Sequence, residues 1–130
     1  MKKLTLVTIS FFLVPGLLFA EGATTRASKK VKQAEVLVLK GDIIDNMCAD
    51  RNTADLAGFI TKHTKECALK PSCAASGYSI FSKGRLYQFD KPGSRKVETF
   101  LRKERSKLQV TVKAKKNGDL LELYSIGNGK

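Results

Sequence analysis

The chain's three cysteines and its one histidine, Cys48, His63, Cys67 and Cys73, all stand between positions 48 and 73. Thiolate and neutral imidazole are the donors that zinc and copper prefer, and Met47, beside Cys48, adds a thioether suited to Cu(I). A closed set of three thiolates and one imidazole would hold structural zinc, whereas a set lacking one donor would be open to metal transfer. Against this, the spacings lack the paired C-x2-C knuckles of ordinary zinc modules. The competing and leading expectation is a disulfide among Cys48, Cys67 and Cys73, with Cys48 to Cys67 or Cys67 to Cys73 as the pairings and the third cysteine buried. Closing a loop of about 15 to 20 residues is worth roughly 3 kcal/mol in the chain-entropy model. His63 is then an ordinary stripe residue with a satisfied ring nitrogen.

These residues need elements to position them. Val36-Leu37-Val38-Leu39, Gly41 and Ile43-Ile44 read as a long first strand, with the glycine marking a bulge or bend. Asn52 followed by Asp55 resembles a helix start, and Leu56, Phe59, Ile60, His63 and Cys67 recur at helical spacing. One amphipathic helix ending before Pro71 is predicted, with His63 and Cys67 one turn apart on the face toward the protein body. Tyr78 to Phe81 and Leu86 to Phe89 form a hairpin around Lys83-Gly84. Asp90 to Gly93 is a predicted turn, and Ser94 caps a second helix whose Val97, Phe100 and Leu101 share one face. Leu108, Val110, Val112 and Ala114 alternate with polar residues as a half-buried strand, which turns at Asn117-Gly118 into a returning strand from Leu120 to Ile126.

The predicted fold class is therefore mostly β with two helices: an OB-fold-like five-stranded barrel with a helix inserted after strand one. A small α+β open sheet is the alternative. In OB-folds the loops after strands one and four usually hold the ligand, and the inserted helix falls in the first of them.

Three motifs carry a family resemblance: D-x-x-C at Asp45 to Cys48, H-x-x-x-C at His63 to Cys67, and C-A-x-S-G-Y at Cys73 to Tyr78. Followed by the lysine- and glycine-containing hairpin and Phe89-Asp90, they resemble a family of small exported bacterial proteins of unknown function with OB-fold-like strand order. The resemblance spans roughly Val38 to Ile126. It implies that these positions form one local site and brings no catalytic role with it.

Met1-Lys2-Lys3, the apolar run Leu4 to Phe19 and the small residue Ala20 have the layout of a secretory signal peptide over residues 1–20. The run is interrupted at Pro15-Gly16 and falls short of the roughly 20 apolar residues of a spanning helix. Residues 21–34 carry Arg26, Lys29, Lys30 and Lys32 with almost no bulky apolar residue, and read as a flexible basic leader. Residues 35–127 then form a single domain, periplasmic or secreted, in a compartment where thiols tend to pair.

The net charge is +12, and Lys2 and Lys3 are the only charges lost with the signal, leaving +10. Between Arg95 and Lys116 nine cations face two acids, and Arg102, Lys103, Arg105, Lys107, Lys113, Lys115 and Lys116 are expected on the polar faces of the second helix and fourth strand. An exported protein rarely meets nucleic acid, so an anionic cell-envelope surface, lipid or polymer, is the expected partner if the surface is not simply solvated. Tyr78, Phe81, Tyr87 and Phe89 could stack on a ligand, but they fit a barrel core as well.

No C-x-x-C, C-x-x-C-H, Gly-rich phosphate loop or G-x-S-x-G motif occurs. Asp42 and Asp45 flank strand one at positions facing opposite sides, which makes no general acid/base pair. A cysteine nucleophile assisted by His63 is formally open. The function expected is a small exported binding or structural module with no catalytic residues.

Overall fold

The computed structural model describes residues 35–130. The expected signal peptide and basic leader lie outside the described residues. Five strands and five short helices follow in the order β1 (Val36–Asp45), α1 (Asn46–Arg51), α2 (Leu56–Ile60), α3 (Lys65–Ala68), α4 (Pro71–Ala75), β2 (Tyr78–Ser82), β3 (Arg85–Phe89), α5 (Lys91–Leu101), β4 (Gln109–Asn117) and β5 (Leu120–Asn128). A 3-10 turn, Thr53–Asp55, lies between α1 and α2.

The strands close in a ring, β1-β2-β3-β5-β4 and back to β1. Closure replaces the expected open-sheet alternative. All ladders are antiparallel except a short parallel one, Gln88 to Leu120 and Phe89 to Leu121, which joins β3 to β5. β1 serves two neighbours: its first part pairs with β4 from Val36 to Asp42, and its last part with β2 from Asp42 to Asp45. Gly41 sits at that changeover. A Cβ there would lie 2.1 Å from the Phe81 carbonyl oxygen, so the bend expected at this glycine is a close backbone approach.

The alternation read along β4 holds: Val110, Val112 and Ala114 are fully buried, and Leu121 and Leu123 of β5 meet them inside the ring. Val97, Phe100 and Leu101 of α5 pack into the same core. Tyr78 and Phe89 belong to this core and half-buried Tyr87 packs against it, so these three are packing residues, while Phe81 is half-buried outside the cluster.

Several local expectations are corrected. The turn between β4 and β5 is Gly118-Asp119, since Asn117 still pairs with Leu120. Gly118 then takes the first loop position at φ 62°, which suits a residue without a Cβ. Lys83 and Gly84 both have positive φ, as a two-residue hairpin loop of the I′ kind demands. α5 begins at Lys91 with Asp90 as its cap, the Asp90 carboxylate accepting from the Gly93 amide at 2.7 Å. The stretch read as a turn is the helix's first turn, with Pro92 in a position where its missing N–H costs nothing. Ser94 lies inside the helix, and its hydroxyl accepts from the Tyr78 amide at 3.1 Å.

The largest correction is the inserted segment, where four short helices replace the one amphipathic helix. Asp45, Asp55 and Thr64 each accept from a backbone amide three residues on, at Cys48, Gly58 and Cys67. Each such cap starts a new helix, and its own non-helical backbone keeps that helix from joining the element before it. Asn52 caps nothing through its side chain and instead donates to the Cys48 carbonyl.

Candidate functional site

The site is built around the end of β1. Asp45 is its last residue and the cap of α1, held in extended backbone at φ −73° and ψ 148°. One carboxylate oxygen, Oδ1, accepts from the Cys48 amide at 2.9 Å, and the other, Oδ2, lies 3.0 Å from His63 Nε2. Asp45 is fully buried and the His63 side chain is 1% exposed, so the pair is out of water. His63 is not on a helix with Cys67: it stands in the turn after α2, its amide donating to Phe59 and Ile60, while Cys67 belongs to α3. Phe59 packs a tilted ring on it at 5.5 Å.

The sulfurs of Cys48 and Cys67 and one ring nitrogen of His63 all lie within 4.8 Å of one another. The expected convergence of these three therefore occurs, by another route than helical spacing. A second group within the same limit joins a carboxylate oxygen of Asp45 with the sulfurs of Cys48 and Cys73. Cys48 is the common member. Cys73 thus sits beside Cys48 and Asp45, while His63 and Cys67 form the other group with Cys48. All three cysteines are free thiols, so neither expected pairing is formed.

The polar atom that stands out is His63 Nδ1, which is buried and has no hydrogen-bond partner. With Nε2 directed at a carboxylate, Nε2 carries the proton in the neutral ring and Nδ1 carries the lone pair. A carboxylate behind an imidazole is the arrangement that orients metal-ligating histidines. Asp45 stood in the D-x-x-C motif, but its contact with His63 was not read from the sequence; its place three residues before Cys48 is a cap spacing that turns a carboxylate back toward the protein body.

Electrostatics follow from this burial. Desolvation pushes the Asp45 carboxyl up, but hydrogen bonds from His63, the Cys48 amide and the Cys48 and Cys73 thiols outweigh it and hold the group below its ordinary value. The Cys48 thiol is pushed up to about 12, first by burial and then by the Asp45 carboxylate. Burial and Asp45 raise Cys73 as well. As nucleophiles, Cys48 and Cys73 are therefore suppressed, because the thiolate is the reactive form.

A polar scaffold fixes α1 against the end of α4. Asn46 donates to the Ser76 carbonyl at 2.9 Å and accepts from Ser79 at 2.6 Å; the Met47 amide donates to Ser76 Oγ, which itself donates to the Cys73 carbonyl at 2.6 Å. The Tyr78 hydroxyl, buried in the ring, donates to the Ala68 carbonyl and anchors α3. A cleft of about 360 Å³ opens beside the first turn of α5 and shares Asn46 and Ser76 with this scaffold, but none of the cysteines lines it. The converging donors, not the cleft, mark the chemistry.

Of the expected basic surface, Lys113 and Lys116 are exposed and Lys115 half-buried on β4. Arg102, Lys103 and Arg105 lie past the end of α5 and Lys107 just before β4, all exposed. Among the described residues no helix is long and apolar enough to cross a membrane. No protein-family model matches the chain, and neither a curated protein nor a solved structure matches it.

Proposed function

We propose that the protein is a small exported metal-binding module, in which Cys48, His63 and Cys67 hold a thiophilic ion, zinc or Cu(I). Asp45 orients His63 from behind, and Cys73 lies close enough to Cys48 to supply a fourth donor. The observation that carries the reading is the buried, partnerless Nδ1 of His63 in a ring whose other nitrogen is held by a carboxylate, beside two free thiols. A buried polar atom left unpaired costs free energy, and a bound ion would recover it.

The same proposal takes the ring as an OB-fold-like barrel, with the four-helix segment in the ligand-bearing loop after its first strand. Membership of the exported bacterial family that the sequence resembles, and export itself, belong to it too.

Equilibrium dialysis under reducing conditions tests it. The chain is expected to retain about one equivalent of zinc or Cu(I). Cys48→Ser, Cys67→Ser and His63→Ala should each lose most of it while the fold persists. Retention unchanged by all three substitutions would refute the site.

A further inference from the structure

Away from the thiol cluster, the outer face of β1 and β4 leaves apolar residues in solvent. Val36 is 54% and Val38 58% exposed, and on β5 Tyr124 is 47% exposed. The register aligns them with cations: Val36 opposes Lys115 and Val38 opposes Lys113 across the β1/β4 ladder, so each pair stands on one face, and Lys40 continues the β1 row. Tyr124 is the extra residue in the β5 irregularity opposite Lys113/Ala114, because Ser125 pairs with Lys113 and Leu123 with Ala114. Glu122, opposite Lys115, and half-buried Asp42, next after Lys40 in the β1 row, are the acids on this part of the face.

Protruding apolar side chains, a tyrosine and a flanking set of lysines suit the boundary of a lipid bilayer: the apolar groups enter the acyl edge while lysine stems cover them and their ammonium groups meet phosphates. Charge complementarity favours an anionic bilayer over other occupants. The sequence places Arg26, Lys29, Lys30 and Lys32 within ten residues before Val36, downstream of the apolar run Leu4 to Phe19. A second copy is disfavoured as occupant, since the chain without its signal, of net charge +10, would set Lys113 and Lys115 of one copy against those of the other.

We infer that the outer face of β1, β4 and β5, centred on Val36, Val38, Tyr124, Lys40, Lys113 and Lys115, docks the protein on an anionic lipid bilayer. Docking is independent of the metal site. It would hold that site at the membrane surface, where an ion could be received or handed on.

The test is sedimentation with vesicles of phosphatidylglycerol and phosphatidylcholine, against phosphatidylcholine alone. The chain is used from Glu21 onward, so that the apolar run makes no contribution; every strand, ladder and core contact described above lies within it, and a cooperative melt common to all variants checks that it folds. Binding to the anionic vesicles only, weakening steeply with salt, is expected. The double substitution Val36→Asp/Val38→Asp should reduce binding about tenfold or more, and Lys113→Glu should reduce it severalfold. Leu86→Asp, at an equally exposed leucine on β3, and Cys48→Ser should bind like the parent. No binding to anionic vesicles, equal losses in the Leu86 and Val36/Val38 variants, or retention on heparin without vesicle binding would each overturn the inference.

Discussion

The ring wall of β1, β4 and β5 and the helical segment between β1 and β2 are held by different forces. In the wall, Val110, Val112, Ala114, Leu121 and Leu123 are all at most 1% exposed, and long antiparallel ladders satisfy the backbone. In the segment, α1, α3 and α4 bury one residue each, Ala49, Ala68 and Cys73, and α2 buries none. Caps and side-chain bonds to the backbone hold it instead, converging on Asp45, Asn46 and Ser76. A segment with so little apolar burial gains little from the hydrophobic effect, so a bound ion or a covalent link has most to add there.

The contrast breaks most readily by truncating the core that the wall encloses, to which α5 contributes Leu101. Leu101→Ala, at a fully buried position, should destabilise the protein by about 2–5 kcal/mol, and added metal should not restore the difference. A thermal melt with and without zinc reads both. Gly41→Ala tests the same wall at its changeover. Its Cβ would meet the Phe81 carbonyl, and about 1–3 kcal/mol should be lost, again whatever the metal.

In the segment the signs reverse. Asp45→Asn keeps the size of the side chain but removes the carboxylate behind His63, and metal affinity should fall about 10–100-fold. A competition titration with a chromophoric chelator measures it. If the affinity is unchanged, Asp45 is a helix cap only.

The same cluster sets a pH dependence. The Cys48 pKa is raised in the fold from 9.0 to about 12, so the folded state holds that proton more tightly than the unfolded chain. Its contribution is complete below pH 9 and is lost as pH rises toward 12. Tyr78, raised from 10.0 to about 12 by burial first and then by Glu98 and Asp45, adds to the same alkaline loss. Metal-free protein should therefore lose stability on an alkaline denaturation series across this window, and Cys48→Ser should flatten its lower part. Metal binding should strengthen with pH over the approach to it, because each thiol must release its proton to coordinate.

The smallest effect belongs to neither region. Lys83→Gly relieves a non-glycine residue at φ 50° in the β2/β3 turn and should leave metal binding unchanged, with a stability change of no more than about 1 kcal/mol in either direction. Urea unfolding would detect it.

How much of this was legible in the sequence follows the same division. The wall was readable because alternation has a period of two and one side of β4 faces a core: Val110, Val112 and Ala114 could go nowhere else. The strand order and both hairpins followed from it, with the second turn displaced by one residue. The segment was misread because its apolar residues, Leu56, Phe59 and Ile60, do recur at helical spacing, while Asp45, Asp55 and Thr64 offer local caps that a periodicity count does not weigh. Caps divide the helix, leave those three residues half-buried and place His63 in a turn. His63 still meets Cys48, because Asp45 holds the His63 ring nitrogen with one oxygen and the Cys48 amide with the other, and Cys67 joins them from the start of α3. Grouping of rare residue types thus located the site, and its geometry lay in a carboxylate whose partner is eighteen residues away.

The central claim is that the cluster holds an ion in the working protein, and thiol counting joined to metal analysis tests it most directly. Protein purified from the exporting compartment is divided, one part alkylated under denaturing conditions for mass spectrometry and the other analysed for zinc and copper. The account predicts three alkylated cysteines and about one equivalent of metal, lost together in His63→Ala. One free thiol, a disulfide joining two of Cys48, Cys67 and Cys73, and no metal would contradict it.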